Sequence, residues 1–169
     1  MEFRPTTPED LRTILGWVGN DRDMVLWSGP TFTWPLTLDQ LLTYAGNPQR
    51  TYWSAIDGDS HTLMGHASLL IDEDAGLMRI GFIIVDPGLR GRGAGRSLVD
   101  GVVRRGFETS TIPVMTLGVI ARNRPAIQLY ESLGFTSTGT ASHIPYRDEE
   151  WEVITMTRPA AGPERVPAD

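Results

Sequence analysis

Residues 80–98, IGFIIVDPGLRGRGAGRSL, constrain this chain more than any other stretch. The apolar run Ile80–Val85 reads as a buried strand. It stops at Asp86-Pro87-Gly88, because Pro87 cannot donate to a ladder and Gly88 supplies turn geometry. Gly91, Gly93 and Gly95 then alternate with arginines, and a helical pattern begins. Strand, glycine-rich turn and helix N-terminus together form a layout for holding phosphate. Backbone N–H groups and the positive end of the helix dipole meet the anion, and missing side chains let it approach.

Three glycine-rich templates compete for this segment. A nucleotide P-loop requires G-x-x-x-x-G-K-[ST]. Here Gly95-Arg96-Ser97 imitates its end, but Arg96 replaces the lysine and Arg90 stands where the first glycine belongs. The dinucleotide fingerprint requires G-x-G-x-x-G with an acid about twenty residues on. Gly91 and Gly93 fit, but Arg96 holds the third glycine position and Thr116-Leu117-Gly118 supplies no acid. The remaining template, [Q/R]-x-x-G-x-[G/A], is met by Arg90-Gly91-Arg92-Gly93-Ala94-Gly95. Led by Val85-Asp86-Pro87, this segment closely resembles the acetyl-CoA-binding motif of the GNAT superfamily of N-acetyltransferases.

A second segment strengthens the resemblance. Asn123-Arg124-Pro125-Ala126-Ile127-Gln128-Leu129-Tyr130-Glu131-Ser132-Leu133-Gly134-Phe135 fits the family pattern N-x-x-A-x-x-x-Y-x-x-x-G-F at every fixed position. It also reads as a helix on its own terms. Asn123 suits an N-cap, Pro125 is tolerated in the first turn, and Gly134 suits the stop. The strand-like Pro113–Val119 separates the two motifs, which together cover residues 78–136.

The coarse pattern along the chain agrees. Glu2-Phe3-Arg4 reads as a short strand, and Thr7-Pro8-Glu9-Asp10 as a helix start. Asn20 to Pro35 loses periodicity and reads as an irregular loop carrying Trp27, Phe32 and Trp34. Thr37-Leu38-Asp39-Gln40 opens a second short helix. Strands are expected over 51–56, 62–71 and 77–85, a helix over 91–107, and two more strands over 135–142 and 151–157. The resemblance implies the α/β (α+β) GNAT fold, a single domain over residues 1–158. Its sheet is mixed, largely antiparallel, with about six or seven strands, about four flanking helices and a splay at the acetyl-CoA site. Residues 159–169, rich in Pro, Ala and Gly, are expected to form a disordered tail.

The resemblance also implies roles. The backbone N–H groups of Arg92, Gly93, Gly95 and Arg96 would hold the cofactor pyrophosphate, with Arg90, Gly91 and Ala94 adjoining. Ser97 would add its hydroxyl or amide, and Arg124 would reach toward phosphate. The backbone of Ile83, Ile84 and Val85 would bond the pantetheine arm and thioester carbonyl. Asn123 would cap its helix, contact the arm, or both. Tyr130 lies two helical turns after Asn123 on the same face. It is the candidate general acid for the departing thiolate, because a neutral phenol can donate a proton.

Composition narrows the chemistry. The chain has no cysteine, which excludes thiolate metal sites and an acetyl-cysteine intermediate. Transfer would therefore be direct, with acetyl-CoA as co-substrate and no metal. The net charge is −6, yet Arg90, Arg92, Arg96, Arg104, Arg105, Arg122 and Arg124 crowd into one region. A basic patch on an acidic chain suits a small polyanion, not a nucleic acid. No apolar run approaches the roughly 20 residues of a membrane helix, and no leader pattern opens the sequence. A cytoplasmic protein without nucleic-acid or membrane partners is expected, and the resemblance allows a homodimer.

The acceptor side is less legible. Lysine acetyltransferases of this fold carry a glutamate at a position that counts back to about Arg79, which cannot act as a base. His66, Asp72, Glu73, His143, Glu149 and a water chain all remain open as proton acceptors. Trp27, Trp34, His66 and His143 are the candidate residues for binding the amine. Aromatic walls with nearby acids would suit an amine or a peptide-like cation. The expected function is acetyl transfer from acetyl-CoA to a primary amine of a small molecule, or of a peptide or protein N-terminus. Polyamines, aminoglycosides and amino acids all qualify as acceptors. The alternative is a non-catalytic acyl-CoA-binding module.

Overall fold

The computed structural model describes residues 1–160. Strands β1 (Glu2–Pro5), β2 (Arg50–Ile56), β3 (Leu63–Asp72) and β4 (Leu77–Val85) run as an antiparallel meander. β5 (Val114–Ile120) joins β4 in parallel and pairs antiparallel with β7 (Glu149–Pro159). β6 (Thr136–Tyr146) lies beyond β7, giving one seven-stranded sheet in the order β1-β2-β3-β4-β5-β7-β6. The expected mixed, mostly antiparallel sheet is therefore present. The last strand runs further than expected, and the N–H of Ala160 still donates to Pro113 O at 2.8 Å. The rest of the expected tail, 161–169, lies outside the described residues.

Helix α1 (Pro8–Trp17) begins with a reciprocal cap. Thr7 Oγ1 accepts the N–H of Asp10, and the Asp10 carboxylate accepts the N–H of Thr7. Helix α2 (Asp21–Ser28) occupies part of the segment that reads as an irregular loop. Eight residues are too few to display a repeat, but Asn20 caps it by accepting the N–H of Asp23 at 2.9 Å. Helix α3 (Leu38–Ala45) starts at Thr37 as expected. With α4 (Ala94–Thr109) and α5 (Arg124–Ser132), the described residues hold five α-helices, one more than the sequence suggests.

The sheet separates two apolar cores. On one face α4 and α5 bury Leu98, Val99, Val102 and Ile127 against Leu69, Met78, Ile80, Met115 and Leu117. On the other, α1 to α3 bury Leu11, Ile14, Met24 and Leu41 against Ile56, Leu63, Ile84 and Trp151. Each fully buried aliphatic side chain contributes about 1.5–3 kcal/mol.

Two irregularities in β4 make the site. First, Ser68 pairs with Gly81 and His66 with Ile84, so Phe82 and Ile83 both oppose Ala67. This bulge puts Phe82 in the left-handed region at φ 53° and reverses which face each later residue meets. Met78 and Ile80 pack toward α4, whereas Phe82 and Ile84 pack toward α1–α3. Second, β4 pairs with β5 only at Met78↔Met115 and Arg79↔Thr116. Beyond those pairs the strands part, and residues 80–85 of β4 face the gap without ladder partners on β5.

Candidate functional site

Asp86 accepts the N–H of Gly88 at 2.8 Å and fixes the turn that follows β4. Gly91 (φ 73°) and Gly93 (φ 85°) then adopt left-handed backbone, which costs a side-chain-bearing residue roughly 1–2 kcal/mol. The first α-helical bond of α4 runs from the N–H of Ser97 to Gly93 O at 3.1 Å. The N–H groups of Gly93, Ala94, Gly95 and Arg96 precede it, so they form an open donor row at the positive helix end. The N–H of Arg92 instead donates to Leu89 O at 3.3 Å, so the row begins one residue later than expected.

The arginines of this region divide. Arg96 donates to Ser132 Oγ at 2.9 Å and to Ser132 O at 3.3 Å, bracing the end of α5. Arg105 covers Trp53, 4.5 Å from its ring centroid, and Arg122 pairs with Glu149 at 2.7 Å. Arg90 and Arg92 are exposed just before the donor row and Ser97 just after it, and Arg124 is exposed at the start of α5. Gly95 has little room, because a β-carbon there would lie 3.3 Å from Leu129 Cδ2. The missing side chain thus lets α4 start tight against α5.

The parting of β4 and β5 opens into a cavity of about 340 Å³. Ile83, Ile84, Val85 and Arg90 form one wall, and Leu117, Gly118 and Val119 the other. Asn123, Ala126 and Tyr130 reach it from α5, and Trp17, Asp23, Leu26 and Trp27 from the opposite layer. Asn123 also caps α5, accepting the N–H of Ala126 at 3.3 Å. Tyr130 is 8% exposed, and its hydroxyl has no hydrogen-bond partner among the described residues. Burial pushes the phenol's pKa up, so it stays protonated.

The sequence profile of the Acetyltransferase (GNAT) family matches residues 22–135, a span that includes both motifs and the whole β4–β5 parting. The chain belongs to this family. Among GNAT relatives it is 33% identical over 102 residues to mycothiol acetyltransferase of a Nocardioides species, covering 56% of this chain and 34% of that protein. It is 37% identical over 78 residues to the [ribosomal protein bS18]-alanine N-acetyltransferase of Salmonella typhimurium, covering 46% and 52%. The matches thus span about half or less of these relatives. In fold it resembles the spermidine N-acetyltransferase of Vibrio cholerae in complex with CoA and spermine. That likeness has a TM-score of 0.77 and 21% identity, and covers 92% and 93% of the two chains.

This GNAT chain has a second cavity, of about 320 Å³, which shares Leu26, Trp27, Ile80, Gly81, Phe82 and Gly118 with the first. Arg50 and Arg79 line it. The Nε1 of Trp27 is buried with no hydrogen-bond partner among the described residues, and its ring borders both cavities. The sequence flags Trp27 as aromatic wall but gives no sign of Arg50, which stands forty residues before the motif and acquires its place through the β2-β3-β4 meander.

Three of the residues proposed for the amine do not meet there. His66 is 0% exposed, with Nδ1 3.0 Å from Thr6 Oγ1 and Nε2 3.0 Å from the Tyr44 hydroxyl. Burial pushes its pKa down to about 4, so it is a neutral core histidine. Trp34 is 47% exposed and His143 sits exposed on β6; neither lines either of these two cavities. The alternation of His66 with apolar neighbours signals burial, and only the three-dimensional partners show that both ring nitrogens are occupied.

The acids disperse similarly. Asp72 accepts the N–H of Ala75, Glu73 accepts from Ser110 and Thr111, and Glu149 pairs with Arg122. Among the described residues the only carboxylate lining either cavity is Asp23, on the first turn of α2. No described helix is long and apolar enough to cross a membrane, and no group of three or more His, Asp or Glu there could hold a metal.

Proposed function

We propose that this chain transfers the acetyl group of acetyl-CoA directly to a primary amine. The observation that carries the reading is Tyr130: an unpartnered, protonated hydroxyl facing the cavity between β4 and β5. The residues present suit the co-substrate. Four open N–H groups from Gly93 to Arg96, with Arg90 beside them, match a pyrophosphate, and the unpaired edge of Ile83, Ile84 and Val85 matches an amide-bearing arm. Acetyl-CoA supplies an acyl group activated as a thioester.

The chain's own groups do the rest. The β4 edge orients the thioester, and Tyr130 gives its proton to the leaving sulfur. The incoming amine must lose a proton before it attacks. Asp23 draws that proton, directly or through water, as the one carboxylate that lines the cavity among the described residues. An amine acceptor agrees with relatives named as spermidine and ribosomal-protein alanine N-acetyltransferases.

The test is release of CoA thiol, with isotopic acetyl transfer, over a panel of amines. Turnover on at least one amine class is expected. Tight acetyl-CoA binding with no turnover on any amine would establish the non-catalytic acyl-CoA-binding module instead.

A further inference from the structure

The second cavity carries two positive charges and, among the described residues, no negative one. Arg50 reaches it from β2 and Arg79 from β4, and no Asp or Glu is in its lining. Among the described residues neither arginine belongs to an ion pair; the pairs there are Arg4–Asp10, Arg12–Glu9, Arg122–Glu149 and Arg147–Asp21. Arg50 is held in place by Ser68, whose Oγ accepts from Nη1 at 2.9 Å, and by the Phe82 ring, whose centroid is 5.4 Å from its guanidinium carbon. Its other guanidinium nitrogens have no partner among the described residues. Arg79 makes no side-chain hydrogen bond there at all, and its head lies so close to Gly118 that a β-carbon on that residue would be 2.6 Å from Nη2. Burial first, and then the charge of Arg50, push the Arg79 guanidinium's pKa down.

Two half-buried like charges without a counter-ion are costly to the fold alone. Such an arrangement is retained where a ligand brings the missing charge. Guanidinium groups are suited to planar oxyanions, which they bind through paired N–H donors. A third donor stands nearby in the buried Trp27 Nε1, which has no partner among the described residues. Ile120, Ile144 and Val153 complete an apolar wall. Because Trp27, Gly81, Phe82 and Gly118 belong to both cavities, a molecule anchored by its anion in the second projects into the first, where Tyr130 and Asp23 lie.

We infer that the acceptor is a small amine bearing an anionic head group next to the amine, foremost an α-amino acid, whose carboxylate is taken by Arg79 and Arg50. This rests on the acetyl-transfer reading and narrows it. A polyamine would set a second ammonium against two arginines with no acid to hold it. A protein N-terminus has no carboxylate on the carbon that carries its amine.

The experiment compares matched pairs on the full chain: L-leucine with isoamylamine, and L-methionine with 3-(methylthio)propylamine. Spermidine and 2-aminoethylphosphonate complete the set. The amino acids should exceed their decarboxylated partners in kcat/KM by about 100-fold or more, because the partners leave buried donors unpaired. Preference for the phosphonate over every amino acid would support the anion site and assign its ligand to that oxyanion. Arg79→Gln and Arg50→Gln should each erase at least about tenfold of the discrimination through KM, with acetyl-CoA Kd unchanged. Arg79→Lys should keep part of it, since charge survives and the paired donors do not. Equal use of leucine and isoamylamine, or better use of spermidine, overturns the inference. So does unaltered discrimination in both glutamine variants. If acetyl-CoA binds but no amine is acetylated, the transferase reading fails separately. Calorimetry of leucine against isoamylamine on the CoA-loaded chain then decides: a leucine preference lost in Arg79→Gln upholds the anion site, and equal affinities overturn it.

Discussion

The head of Arg79 rests on Gly118, so closely that a β-carbon on Gly118 would lie 2.6 Å from Arg79 Nη2. The contact runs from Arg79, in the last pair of β4 and β5 (Arg79↔Thr116), to Gly118 two residues further along β5. Gly118 is therefore a spacer that lets a cationic side chain lie across the mouth of the gap. Gly118→Ala should push the guanidinium aside while the backbone holds. Overpacking of this kind costs about 1–3 kcal/mol, and a flexible arginine end places it near the lower value. A small fall in Tm with a rise of about tenfold or more in KM for an amino-acid acceptor is expected. An unchanged KM would show that Arg79 does not meet the acceptor.

Tyr130 is set apart from an ordinary core tyrosine by a hydroxyl at the cavity that has no partner among the described residues. Tyr130→Phe removes that hydroxyl and keeps the ring that packs edge-on to Phe135. A kcat reduced by about 100-fold, with acetyl-CoA Kd within about twofold, is the expected result for a general acid. Kinetics and calorimetry on the same preparation separate the two effects. A normal kcat would reduce Tyr130 to a packing residue.

The donor row at α4 depends on Gly93 holding φ 85°. Gly93→Val brings a β-branched side chain into left-handed backbone and should turn the row away from its anion. Acetyl-CoA affinity should fall by about tenfold or more, a loss readable by calorimetry. Space is not the obstacle, since nothing lies within 4 Å of a β-carbon there. Gly93→Asn, whose side chain tolerates this region, should therefore lose less.

Asp23 is the cavity carboxylate, so Asp23→Asn should lower kcat/KM most at the acid end of the pH profile, where fewer amine molecules arrive unprotonated. Asparagine keeps a side-chain oxygen at the same place on α2, so stability should change by less than about 1 kcal/mol. A pH profile parallel to that of the parent chain would exclude Asp23 as the proton acceptor.

Stability should fall on the acid side for two named reasons. His66 titrates at about 4 in the fold against an ordinary 6.5. The unfolded chain therefore takes up its proton first, and the contribution of neutral His66 is full above about pH 6.5 and lost as pH falls to about 4. That contribution is on the order of 3 kcal/mol. For Asp10, burial raises the pKa, but hydrogen bonds from Arg4, Thr7 and Ser54 outweigh it and hold the carboxyl at about 2 against 3.8. Its contribution is present above about pH 3.8 and is lost between there and 2. Urea midpoints measured from pH 7 to pH 4 should drop, and His66→Gln should flatten that slope. An equal slope in the variant would locate the acid sensitivity elsewhere.

What could be read directly was local. Each half of the proposed cofactor site is a contiguous segment whose geometry follows from its own residues. Pro87 ends the strand, left-handed Gly91 and Gly93 make the turn, and Asn123 with Gly134 bounds the helix that carries Tyr130. The succession of strands along the chain and the helix that follows the glycine-rich turn were legible for the same reason, since period and punctuation are properties of neighbours in sequence.

The acceptor side was decided by the tertiary structure. A one-residue bulge at Phe82–Ile83 carries no sequence mark, yet it sends Phe82 and Ile84 to the opposite face. Helix α2 is too short to show a period, yet it delivers Asp23 and Trp27 to the cavities. Arg50, Arg79 and Gly118 are distant in sequence and meet because β2, β4 and β5 lie side by side at the point where the sheet opens. His66, for its part, leaves the site because Thr6 and Tyr44 fold around it. Local backbone preferences wrote the proposed donor half of the site into the chain, whereas the proposed acceptor half comes from long-range packing of strands and helices, which no single segment encodes.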